Sequence, residues 1–122
     1  MPPHGLEGLI GEQLSAVTFL MDYVQFQFDG AVLTAFTSPA VVSGGERLQF
    51  PAMGSRDALC SLIGGRVIAV DIRDEDAIEL RIRASESQDR MLTIPIDAAS
   101  YRGPEAAVFT PARASGEPTV VW

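Results

Sequence analysis

Residues 23–36 read YVQFQFDGAVLTAF, and their alternation decides the fold class. Val24, Phe26 and Phe28 fall on one face of an extended chain, and Tyr23, Gln25 and Gln27 fall on the other. Asp29-Gly30 follows at once, the dipeptide that best suits a two-residue hairpin turn with positive φ at its centre. A turn there fixes the register: Phe28 faces Ala31, Phe26 faces Leu33 and Val24 faces Ala35. The opposite face then pairs Gln27 with Val32, Gln25 with Thr34 and Tyr23 with Phe36. One side of the pair is apolar and the other mostly polar, as expected of an antiparallel pair covered on one face.

Counting back two more residues sets Asp22 opposite Thr37, on the apolar side. An ionised carboxylate is too costly to bury alone, so this position calls for a partner, either Thr37 or an arginine such as Arg56. The competing reading makes Asp22 a ligand-binding carboxylate at the mouth of an apolar pocket lined by Phe26, Phe28 and Leu33.

Beyond the hairpin, Glu46–Phe50 reads as a short strand stopped by Pro51. GSRDALCSLIGG, residues 54–65, is the clearest helix. Ser55 is its expected cap, Asp57 lies in its first turn, and Gly64-Gly65 ends it. Ala58, Leu59, Leu62 and Ile63 form its expected apolar side, with Cys60 buried among them. RVIAVDIR (66–73) and AIELRIRA (77–84) are successive strands around the acidic turn 74–76, with Ile68, Val70 and Ile72 in one core row and Ile78, Leu80 and Ile82 in the other. RMLTIPI (90–96) turns Leu92, Ile94 and Ile96 inward, and Pro95, lacking an N–H, favours an edge position. Ala106–Thr110 and Thr119–Trp122 are weaker strands, with Trp122 as a core or interface plug.

These elements define an α+β domain over residues 15–122: a mostly antiparallel sheet, a meander that could close into a roll or barrel, with one short α-helix packed on it. Residues 1–14, rich in glycine and proline, read as a loose arm. A chain of 122 residues can bury one core of its own. Its 47% apolar content is high, and a homodimer or a protein partner is expected to cover part of it.

The composition excludes much chemistry. The net charge is −7, which opposes nucleic acid and an anionic membrane surface. No apolar run reaches the ~18–20 residues of a membrane helix. His4 is the single histidine and Cys60 the single cysteine, so no intrachain disulfide can form, and a cytoplasmic location is expected. With no lysine there is no Schiff-base chemistry, Walker loop or serine–lysine dyad. One histidine and one cysteine cannot build a structural zinc site, and the acidic turn 74–76 lacks the glycine and distal glutamate of a calcium loop. A non-catalytic domain without cofactor or metal is expected. Tyr101, Arg102 and Glu105, in the loop YRGPE, join Asp22, Tyr23 and Arg56 as the candidate binding residues, since aromatic and charged groups on a rigid turn are a common form of site.

The order of MDYVQFQFDG, RDALCSLIGGRV, IELRI, and GPEAAVF with a terminal VVW resembles small bacterial proteins of unknown function, some of which are similar to immunity proteins of polymorphic toxin systems. The likeness spans residues 17–122. It implies a compact antiparallel α+β domain that binds protein, and it supplies no active-site residues.

Overall fold

A computed structural model of the chain describes residues 5–21, 23–73, 76–85, 88–97, 105–111 and 119–122. Ten strands form two antiparallel sheets. Sheet I has the order β1-β2-β3-β9-β10, built from β1 (Leu14–Phe19), β2 (Val24–Phe28), β3 (Val32–Ala35), β9 (Ala107–Thr110) and β10 (Val120–Val121). Sheet II has the order β5-β4-β8-β7-β6, from β4 (Ala40–Ser43), β5 (Glu46–Gln49), β6 (Arg66–Arg73), β7 (Ala77–Ser85) and β8 (Gln88–Pro95). One α-helix, α1 (Ser55–Cys60), and a 3-10 turn at Leu6–Leu9 complete the described elements. The sheets stay open, so the roll or barrel alternative gives way to two separate sheets sharing one core.

The β2–β3 hairpin has the register that Asp29-Gly30 dictates. Val24 pairs with Ala35, Gln25 with Thr34, Phe26 with Leu33 and Gln27 with Val32. The Phe28 N–H donates to the Ala31 carbonyl at 2.8 Å, and Gly30 has φ 83°. Phe26, Phe28 and Leu33 are buried in a core continuous with Ile78, Leu80 and Ile82 of β7 and Leu92 and Ile94 of β8. The strands around 66–73, 77–84 and 90–96 lie where alternation sets them, with β6–β7–β8 as a local meander.

Several expectations are corrected. Residues 5–14 are not a loose arm: Leu6 and Leu9 are fully buried, and the Gly11 N–H donates to the Val67 carbonyl at 2.8 Å. The segment LEGL places two leucines on one side of a 3-10 turn, and burying them offsets the cost of ordering the chain. In β6 the ladder shifts between Val67 and Ala69, so Val67 takes the core place opposite Ile82, and Ile68 leaves the row. The helix starts at Ser55 after a left-handed Gly54, so Ser55 is not its cap. Ser55 is buried, and its hydroxyl donates back to the Ala52 carbonyl at 2.6 Å. The helix also ends early, at Cys60. The turns that follow break the helical period, leaving Cys60 and Ile63 exposed while Leu59 and Leu62 stay buried.

Pro95 is not on an edge strand, because β8 lies between β4 and β7. Successive residues of a strand turn their backbone groups to opposite sides. The Ile96 N–H reaches the Asp76 carbonyl at the β7 side, so the Pro95 nitrogen faces β4. There, however, the β4–β8 pairing stops at Ala40–Thr93, and no ladder bond is missed. The Pro95 carbonyl instead accepts from the buried Thr37 hydroxyl at 2.6 Å. This bond ties the end of the β2–β3 hairpin to sheet II. Thr37→Val keeps the shape but strips the carbonyl of its donor, and should lower unfolding free energy by about 1–2 kcal/mol in a denaturant titration, with Thr37→Ser restoring most of it. A Thr37→Val protein as stable as the parent would show that the bond contributes nothing.

Candidate protein-interaction surface

The end of the two sheets that holds the β1–β2 connection also receives the turn before α1. Phe19, the last residue of β1, pairs with Val24 and therefore sits on the core side, half-buried at the opening between the sheets. Phe50 follows β5, held by its N–H donating to the Pro39 carbonyl at 2.9 Å, and the Phe50–Pro51 peptide bond is cis. The two rings meet with centroids 5.6 Å apart. Arg56, in the first turn of α1, covers them from outside, its guanidinium carbon 4.8 Å from the Phe50 centroid and 5.9 Å from that of Phe19. A guanidinium over an aromatic face is attracted to the ring quadrupole, which holds a long side chain in one place.

Two segments thus come to one end, and each carries an exposed methionine: Met21 is 95% and Met53 96% exposed, with Leu20 at 36%. The backbone around them is well ordered by hydrogen bonds. The Leu20 N–H donates to the Tyr23 carbonyl at 2.8 Å, and the Ser55 N–H to the Ala52 carbonyl at 3.0 Å. This end thus carries a tilted aromatic pair, a guanidinium over it and two exposed thioethers.

Of the residues singled out from sequence, Arg56 belongs to this surface. Tyr23 lies around the corner, on the outer face of sheet I, with its ring 5.2 Å from that of Phe36. Glu105 is half-buried and immediately precedes Ala106, whose carbonyl accepts from the Phe36 N–H at 2.9 Å, so it is at the same end. Asp22, Tyr101 and Arg102 lie outside the described residues. Thr37, however, has one hydroxyl proton, and it is committed to the Pro95 carbonyl, so it cannot donate to the Asp22 carboxylate.

Phe19, Met21, Phe50 and Met53 carry the surface and were not among the candidates. A signal existed: PAMG, 51–54, sets a methionine between turn-forming residues, where no core can claim it.

The outer face of sheet II carries a separate shallow groove of ≈ 240 Å³ with Arg47, Arg73, Asp76, Glu79 and Asp97 along it. Its charges largely answer one another; Arg73 and Glu79 approach to 3.8 Å. On the same sheet the Arg83 guanidinium donates to Asp89 at 2.9 Å, and that hydrogen bond holds the Asp89 carboxyl below the usual carboxylate range. Among the described residues no group of three histidine, cysteine or acidic side chains is placed to hold a metal. No helix of the described residues is long and apolar enough to cross a membrane.

No family model, curated protein or solved structure matches this chain.

Proposed function

We propose that the chain is a non-catalytic protein-binding domain whose contact surface is the Phe19–Phe50–Arg56 end. The observation that carries this reading is the near-complete exposure of Met21 and Met53 on the segments of a tilted aromatic pair capped by arginine. Aromatic residues, methionine and arginine are the types enriched where protein surfaces meet, and methionine adapts its shape to a partner at little cost. Met21 follows Phe19 and Met53 follows Phe50 on the same short segments, so each ring of the pair has an exposed thioether on its own stretch of chain.

The partner is a protein of basic character. A net charge of −7 favours one, and the likeness to immunity-like proteins suggests a toxin that the domain neutralises. A cytoplasmic location goes with this reading, supported by a single cysteine that has no intrachain partner.

Affinity purification from the native host tests it. The parent chain should retain one partner at low salt and release it as ionic strength rises. Met53→Arg, at a position with no packing to lose, sets a like charge against the basic partner and should weaken that complex about tenfold or more without changing the fold. A parent chain that elutes alone, or a Met53→Arg chain that binds as tightly as the parent, would sink the proposal.

A further inference from the structure

We infer that β1 is a two-fold pairing edge, on which a second copy of the chain adds its own β1 antiparallel and joins two copies of sheet I into one continuous sheet. β1 lies at the edge of sheet I, with β2 on one side; on the other, Leu14 exchanges hydrogen bonds with Gly64 and Gly65 at 2.8 Å, and the open stretch is Val17–Phe19. The direction of its free backbone groups follows from two bonds. The Leu20 N–H turns toward β2, donating to Tyr23, so the groups of Thr18 turn the same way. The Phe28 N–H turns toward Ala31 and β3, so those of Val24 and Phe26 do too, away from β1. Their partners Phe19 and Val17 therefore direct N–H and C=O to the open side, and among the described residues nothing takes them up.

The other edges are guarded. β5 carries Glu46 and Arg47; β6 carries Asp71 and Arg73, is bulged near Ala69, and has its first residues bonded to residues 11 and 12; β10 is two residues long. Charges, bulges and shortness are the usual means of keeping a sheet edge from pairing. β1, LSAVTF, contains no charge and no proline, and its one irregularity lies at Leu14–Ala16, ahead of the open positions.

The occupant follows from self-complementarity. With Thr18 on a two-fold axis, Val17 faces Phe19 of the second copy and Phe19 faces its Val17, which satisfies every open backbone group of Val17 and Phe19. Thr18 meets Thr18, a favourable cross-strand pair, and no like charges are opposed. The same register lays the exposed Leu20 against Ala16 of the second copy. Each contact is then made twice, as an isologous interface requires. For a chain of 47% apolar content, this is a surface that another copy fits without a charge penalty.

Sedimentation equilibrium of the full chain over a concentration series tests the inference. The parent chain should be a dimer at about 100 μM. Thr18→Glu sets two carboxylates face to face on the axis and should raise the dimer dissociation constant about tenfold or more while the monomer stays folded. Thr18→Val should leave the dimer intact. A monomeric parent chain, or a Thr18→Glu dimer of unchanged affinity, overturns the inference. So would a dimer that Met53→Arg dissolves, because the contact would then lie at the aromatic end instead. The two proposals fail separately: a monomer that still captures its partner through Met53 removes only the pairing edge.

Discussion

Phe26→Ala should lower the unfolding free energy by about 3–5 kcal/mol. Phe26 is completely buried in the middle of β2, with Val17 beside it on β1 and Leu33 on β3, and it belongs to the core that both sheets share. Removing the ring costs its transfer free energy and leaves a cavity that ladders on both sides prevent from collapsing. The measurement also decides between two roles for this wall. If Phe26, Phe28 and Leu33 line a ligand pocket, the ring already lacks contacts on one side, and its loss costs well under 3 kcal/mol. A denaturant titration without ligand distinguishes the two, and a small loss would favour the pocket.

Gly65→Ala should cost about 2–3 kcal/mol, although it adds one methyl group. Gly65 sits where the turn after α1 enters β6. Its N–H donates to the Leu62 carbonyl at 2.9 Å and its carbonyl accepts from Leu14 at 2.8 Å, so the backbone is pinned on both sides. A Cβ there would lie 2.5 Å from Cγ2 of the buried Ile82 and 3.0 Å from the Leu62 carbonyl oxygen. Neither neighbour can withdraw cheaply: one is locked in the core and the other is main chain. Thermal or chemical unfolding of Gly65→Ala checks this, and a loss below about 0.5 kcal/mol would mean that β6 and β7 can separate locally without penalty.

What could be read in the sequence was what is local. The β2–β3 hairpin was legible because Asp29-Gly30 fixes a register between residues only a few positions apart. The β6–β7–β8 meander was legible for the same reason, its apolar rows returning after each polar turn. β4 was not assigned, since AVVS is too short to show alternation and its pairing with β8 depends on residues 50 positions away. The place of Pro95 depended on that same pairing. The bulge in β6 moves one apolar residue out of the core and another in, and no periodicity announces it.

The candidate surface shows the same division. Arg56 was singled out as a cation that could answer Asp22, whereas the rings it covers come from the end of β1 and the residue after β5. Phe19 and Phe50 meet only after both sheets have assembled. Asp22 drew attention as a carboxylate in an apolar run, but the hydroxyl set opposite it by register serves a carbonyl of the other sheet.

The pairing of β3 with β9 has a consequence for the order of assembly. Leu33 bonds alongside Phe109, and Ala35 alongside Ala107, so sheet I cannot be completed until almost the whole chain is available. Closing so long a loop carries an entropic cost that the short turns of β6–β7–β8 do not. Both three-stranded meanders, β1–β2–β3 and β6–β7–β8, close through short turns, whereas β3 gains its second neighbour only once β9 is present. During that interval the uncharged β1 is open to any neighbouring chain, making the early, half-built domain its own most dangerous companion.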